Sequence, residues 1–135
     1  MKKLDDLIKE RVLICDGGMG TAISNFNLSL DDYAGYAGCN EYLVFSKADV
    51  IAQIHASFLD AGADIIETNT FGASVCSLLD HGLDAKTYEL NLQAAGIARR
   101  AAADFSFIKP RFVSGSIGPG TKLPSLNHIG FDELK

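Results

Sequence analysis

The chain has 135 residues, 47% of them apolar and 21% charged, with a formal charge of −5 and an isoelectric point near 5.0. That length and apolar content suit one domain with its own core. The acidic balance and scattered Lys and Arg argue against a nucleic-acid footprint, and no apolar run approaches the roughly 18 residues of a membrane span. Met1-Lys2-Lys3 is followed by Leu4-Asp5-Asp6 rather than the apolar stretch of a secretion signal. Three widely spaced cysteines make no disulfide framework, and the chain reads as cytoplasmic.

In chain order, Leu4, Leu7 and Ile8 predict a short amphipathic helix before a first strand, Val12 to Cys15. The strand runs into Asp16-Gly17-Gly18-Met19-Gly20-Thr21, an acidic and glycine-rich corner. Residues 26–46, with Gly35, Gly38 and three tyrosines (Tyr33, Tyr36, Tyr42), read as a long connection with a lid or packing role. Ser46 is the expected cap of the next helix, with Asp49 in its first turn. Ile51, Ile54, Phe58 and Leu59 form that helix's apolar face, His55 packs beside them, and Gly62 is its stop.

Strand two, Asp64 to Glu67, leads into Thr68-Asn69-Thr70-Phe71-Gly72, a second polar corner after an apolar run. A short helix over 73–79 and a long one from about Ala85 to Phe105 follow, the latter with Leu90, Ala94, Ile97 and Ala101 on one stripe and Tyr88, Leu92 and Ala95 on its neighbour. Lys109-Pro110 ends the link. Strand three spans 111–117, with Gly115 expected to admit a close backbone neighbour. Phe131 to Leu134 begins a further helix, and His81 and His128 read as surface loop residues.

Strands alternating with helices predict an α/β fold with parallel pairing. Ligands bind at the carboxyl ends of such strands, so the two polar corners predict one site. Asp16 sits where a carboxylate can meet an ammonium group, and the amides of Gly17 and Gly18 can approach a carboxylate without an intervening side chain. Glu67, Thr68, Asn69 and Thr70 line the same opening. Structural alternatives stand beside each: Asp16 as a turn cap, Asn69 as a loop tether, Gly18 and Gly20 as backbone geometry alone. Neither phosphate-binding glycine motif is present.

The ordered segments Asp16-Gly17-Gly18-Met19-Gly20-Thr21, Gly38-Cys39-Asn40-Glu41, Gly62 to Phe71, Glu89-Leu90-Asn91 and Gly115-Ser116-Ile117-Gly118-Pro119 resemble successive motifs of the homocysteine S-methyltransferase family. Glu-Thr-Asn-Thr-Phe and Gly-Pro-Gly-Thr-Lys-Leu resemble most the amino-terminal homocysteine-binding module of its cobalamin-dependent, methionine-forming branch.

The resemblance implies the first part, about three βα units, of a TIM-type (β/α)8 barrel, which takes roughly 250 residues. Residues 1–135 are then a partial homocysteine-binding domain, truncated relative to the family. The implied reaction moves a methyl group from methylcobalamin, recharged by methyltetrahydrofolate, to the zinc-activated thiol of homocysteine. The implied partners are homocysteine and the folate and cobalamin modules of the parent protein. Betaine- or S-methylmethionine-dependent relatives share the Asp-Gly-Gly and strand-two motifs. A chain that is inactive alone and only binds partners is the third reading.

The family's zinc ligands are three cysteines from later strands, two of them adjacent. No Cys-Cys pair occurs here, and Cys15, Cys39 and Cys76 match no ligand position, so no catalytic or metal residue is expected in this chain. Asp16, Gly17, Gly18, Glu67, Thr68, Asn69 and Thr70 are the expected substrate-binding residues. Lys122, in the family-like Thr121-Lys122-Leu123 stretch, is a minor candidate for facing the methyl donor's module.

Overall fold

The computed structural model describes residues 3–107, 109–122 and 124–134; Met1, Lys2 and Leu123, which enter the sequence reading, lie outside the described residues. Helix α1 (Leu4–Glu10) carries Asp5 and Asp6 in its first turn and Lys9 in its last, charges that complement the helix dipole. Helix α2 (Met19–Ser24) follows the glycine corner and buries Ile23. The long connection winds through short 3-10 turns (Leu30–Tyr33 and Asn40–Tyr42) into α3 (Leu43–Ser46). Its tyrosines pack rather than hang free: the Tyr36 and Tyr42 rings lie 4.5 Å apart, and both rest on the core.

Helix α4 (Ala48–Asp60) buries Ile51, Ile54, His55 and Leu59, and Gly62, at a φ of +111°, turns the chain just past its end. Strand β1 (Ile65–Glu67), helix α5 (Val75–Leu79), helix α6 (Thr87–Phe105), strand β2 (Phe112–Ser114) and helix α7 (Phe131–Leu134) complete the order. In α6 the Leu90, Ala94, Ile97 and Ala101 stripe faces inward, while Tyr88 and Leu92 are exposed. The alanines let α6 lie close to α4.

The two strands pair in parallel, with Ile65 opposite Phe112, Ile66 opposite Val113 and Glu67 opposite Ser114. On the other side of β1 the first apolar segment runs alongside it. Asp64 N–H and Ile65 N–H donate to the Ile14 carbonyl at 2.7 and 3.1 Å, and Asp16 N–H donates to the Ile65 carbonyl at 2.9 Å. This segment makes one parallel bridge, Cys15 with Ile65, instead of the expected strand over 12–15. Val12 and Ile14 are 84% and 61% exposed, so no packing extends the ladder beyond these hydrogen bonds. The core has two parts. Leu43, Ile51, Ile54, Leu90 and Ile97 fill one, Leu59, Ile66, Ala98 and Ala102 fill the other, and the Phe58 ring touches both.

Two further expectations are corrected. Ser46 closes α3 instead of capping α4, and its buried hydroxyl has no hydrogen-bond partner among the described residues. The close approach expected at Gly115 occurs at Gly118, where a Cβ would run into the Phe71 carbonyl oxygen; nothing lies within 4 Å of a Cβ built on Gly115.

At the opposite end of β1 from the polar corners, the buried Asp64 side chain knits the three parallel segments together. Arg11 grips it with two hydrogen bonds of 2.8 Å, Lys109 reaches it at 2.7 Å, and Ile14 N–H donates to it at 3.1 Å. The Arg11 pair, with Lys109 assisting, holds the Asp64 carboxyl well below the usual carboxylate range.

Candidate substrate pocket

All seven residues expected at the site line one cavity of about 450 Å³: Asp16, Gly17, Gly18, Glu67, Thr68, Asn69 and Thr70. The cavity lies beyond the carboxyl ends of β1 and β2, where parallel folds bind ligands. Gly20, weighed from the sequence as backbone geometry, also lines it, and Met19, Asn40, Glu41, Phe71 and Ser116, which the sequence did not mark as site residues, complete its wall.

Asp16 hangs from the bridged segment and reaches across to β1, where its Oδ2 accepts the Glu67 backbone N–H at 3.0 Å. Burial pushes the Asp16 carboxyl above the ordinary value, the nearby Glu67 charge adds to the rise, and the Glu67 N–H opposes it. The side chain has a second oxygen with which to meet a cation. A Cβ on Gly17 would stand 3.1 Å from the Phe58 ring, so a larger residue there would press on the core.

The strand-exit hydroxyls are occupied by the protein itself. Ser116 N–H donates to Thr68 Oγ1 at 3.0 Å, and Thr70 Oγ1 donates to the Ser116 carbonyl at 2.8 Å. With the Thr70 proton spent there, the 2.6 Å contact between the two hydroxyls has Thr68 as donor. Thr68 and Thr70 thus clamp the segment after β2 against the segment after β1.

Asn69 is likewise a tether: its Nδ2 donates to the Asn40 carbonyl at 2.8 Å. A second tie joins the same two segments, with Gly72 N–H donating to Glu41 Oε1 at 2.7 Å. A Cβ on Gly72 would come within 2.8 Å of that oxygen, so the bond in this form needs glycine. The sequence signal for Asn40 and Glu41 was present in the Gly38-Cys39-Asn40-Glu41 motif. Their place in the pocket depends on these long-range bonds, which spacing does not reveal.

The outlying candidates find other partners. His55 is fully buried with neither ring nitrogen bonded among the described residues, and burial lowers its pKa to about 4. Lys122 pairs with Asp80 at 2.8 Å, which also accepts Thr121 Oγ1 at 3.0 Å. Zinc does not fit the described residues. Cys15 is exposed, Cys39 buried and Cys76 half-buried on α5, and no three His, Cys, Asp or Glu side chains gather into a metal cage. No described helix is long and apolar enough to cross a membrane.

The homocysteine S-methyltransferase family matches residues 13–135, and the chain belongs to that family. It is 44% identical to the methionine synthase of Mycobacterium tuberculosis (strain ATCC 25618 / H37Rv) over 131 residues, 96% of this chain and 11% of that protein. Against the methionine synthase of Mycobacterium leprae (strain TN) it is 43% identical over 127 residues, 93% of this chain and 10% of that protein. The chain therefore spans about a tenth of the length of these relatives. Its fold is that of part of the homocysteine methyltransferase MmuM from Escherichia coli. The oxidized form superposes with a TM-score of 0.70 at 24% identity, over 85% of this chain and 40% of that one. The metallated form gives 0.70 at 22% identity, over 94% and 44%.

Proposed function

We propose that this chain contributes the pocket for the amino-acid end of homocysteine within a methionine synthase-type methyltransferase. The whole protein would transfer a methyl group from methylcobalamin, recharged by methyltetrahydrofolate, to the zinc-activated thiol of homocysteine, giving methionine. The observation that carries this reading is the convergence of the Asp16 and Glu67 corners on one cavity at the carboxyl ends of parallel strands. The identity to methionine synthases supports the cobalamin branch over betaine- and S-methylmethionine-dependent relatives.

In this reading the bridged segment, β1 and β2 are three neighbouring strands of a (β/α)8 barrel, and residues 1–135 are part of its homocysteine domain. The cytoplasm is the compartment it implies, and the folate and cobalamin modules are its partners. Zinc and cobalamin act elsewhere in the whole protein. This chain's residues hold and orient substrate.

Asp16, with its unspent oxygen, takes the substrate ammonium. The exposed Glu67 carboxylate adds negative potential on the same wall. Gly17 and Gly18 present backbone without side chains to the substrate. Thr68, Asn69 and Thr70 shape the cavity by fixing its rim.

The test is methionine formation by the complete protein with methyltetrahydrofolate and cobalamin, and in parallel with betaine or S-methylmethionine. Methionine from the folate and cobalamin route alone supports the reading. Turnover with betaine or S-methylmethionine instead moves the protein to another branch, and failure to bind homocysteine overturns the assignment.

A further inference from the structure

The cavity wall carries three carboxylates, Asp16, Glu41 and Glu67, which favour an ammonium group and repel a carboxylate. A free amino acid has both groups, so its carboxylate needs hydrogen-bond donors on the wall away from those acids. Backbone amides at Gly17 and Gly18 stay open among the described residues, but most side-chain donors lining the cavity are already committed. Thr68, Thr70 and the Ser116 backbone bond to one another, Asn69 Nδ2 binds the Asn40 carbonyl, and Ser116 Oγ points to Glu67 Oε2 at 3.4 Å.

Asn40 Nδ2 is the lining side-chain donor with no protein partner among the described residues. Its orientation is fixed from behind, because the Tyr33 hydroxyl donates to Asn40 Oδ1 at 3.2 Å, leaving the amino group to face forward. It stands over the side-chain-free corner: a Cβ on Gly20 would be 3.6 Å from Nδ2. The Asn69 bond to the Asn40 carbonyl and the Glu41 bond to Gly72 keep that backbone in place.

We propose that Asn40 is the side-chain ligand for the substrate's α-carboxylate, and that Tyr33 is the positioning residue that holds its amide the right way round. The proposal rests on the homocysteine reading above and deepens it. It makes residues 33–41 of the long connection the part of the pocket that tells an amino acid from a simple aminothiol.

The test compares two ligands on the complete protein by titration calorimetry: homocysteine, and 3-aminopropane-1-thiol, which is homocysteine without its carboxylate. Asn40→Ala should weaken homocysteine about tenfold and leave the aminothiol unchanged. Asn40→Asp, isosteric but repulsive, should weaken homocysteine by about a hundredfold or more and bind the aminothiol at least as well as before. Tyr33→Phe removes the orienting hydroxyl and should give a smaller loss confined to homocysteine.

Equal losses on both ligands would make Asn40 a purely structural residue and overturn the proposal, as would unchanged homocysteine binding in both Asn40 variants. If either Asn40 variant fails to fold, Tyr33→Phe decides by the same difference between ligands. Wild-type protein that binds neither ligand refutes the homocysteine reading itself. Wild-type binding with indifferent variants refutes only the role of Asn40.

Discussion

Asp16 and Glu67 are 51 residues apart in sequence, yet the carboxylate of the first accepts the backbone N–H of the second at 3.0 Å. That bond sets both polar corners around one opening and leaves Asp16 an oxygen for a ligand. It joins a side chain to the backbone, so it aligns the corners whatever the charge on Glu67.

Asp16→Asn keeps the shape of the side chain and removes its charge. Homocysteine affinity should fall about 10- to 100-fold, the worth of a charge-assisted hydrogen bond, with little change in folding. Because the Asp16 carboxyl is raised by burial, wild-type affinity should also decline with acid while the pH is still above the ordinary carboxylate value of 3.8. Titration calorimetry across pH checks both, and an Asn variant that binds like wild type would remove Asp16 from the ammonium site.

Asp64→Asn acts at the other end of the strands. It should cost about 3 kcal/mol, near the lower end for a broken buried pair, because the partly exposed Arg11 and Lys109 can hydrate once freed. The folded carboxyl lies below its unfolded value, so its contribution is complete above about pH 4 and is lost as the pH falls further. Urea unfolding midpoints at pH 7 and pH 3 should differ in wild type by more than in the variant.

His55 gives a separate acid sensitivity. Its folded value is about 4 against 6.5 for the free side chain, so the unfolded chain binds the extra proton between those limits. Stability is full above about pH 6.5 and declines toward pH 4, by about 3 kcal/mol if burial persists. His55→Leu, close in volume and without polar atoms, should flatten this slope between pH 6.5 and 4. A slope unchanged in the variant would assign it to other groups.

Gly115 and Gly118 separate cleanly by substitution to alanine. Gly118→Ala drives a Cβ into the Phe71 carbonyl, a backbone atom that retreats only if the pocket rim moves, and should cost about 1–3 kcal/mol. Gly115→Ala meets open space and should stay within about 0.5 kcal/mol. Thermal unfolding of both variants is the measurement.

Helices α4 and α6 were legible because their burial follows a helical stripe that sequence displays directly: Ile51, Ile54 and Leu59 in one, Leu90, Ala94 and Ile97 in the other. The pocket was legible at Asp16 and Glu67 because acidic residues after apolar runs stand out. Asn40 was not, since it enters the wall through bonds from Tyr33 and Asn69 that depend on how a 21-residue connection folds back. Ser46 misled for a local reason: a serine before Lys47 and Ala48 resembles a cap, but α3 had already claimed its backbone. The strand expected over 12–15 shrank to a bridge because pairing on one side alone, without burial of Val12 and Ile14, does not sustain a ladder.

The double tie of Asn69 to Asn40 and of Gly72 to Glu41 has a consequence for engineering. Each loop is fastened to the other by these bonds, so a chimera exchanging only residues 38–42 or only 68–72 with a relative would inherit mismatched halves of a buckle. Transplanting both stretches together preserves the fastening, and with it a starting point for redesigning which amino acid the cup accepts.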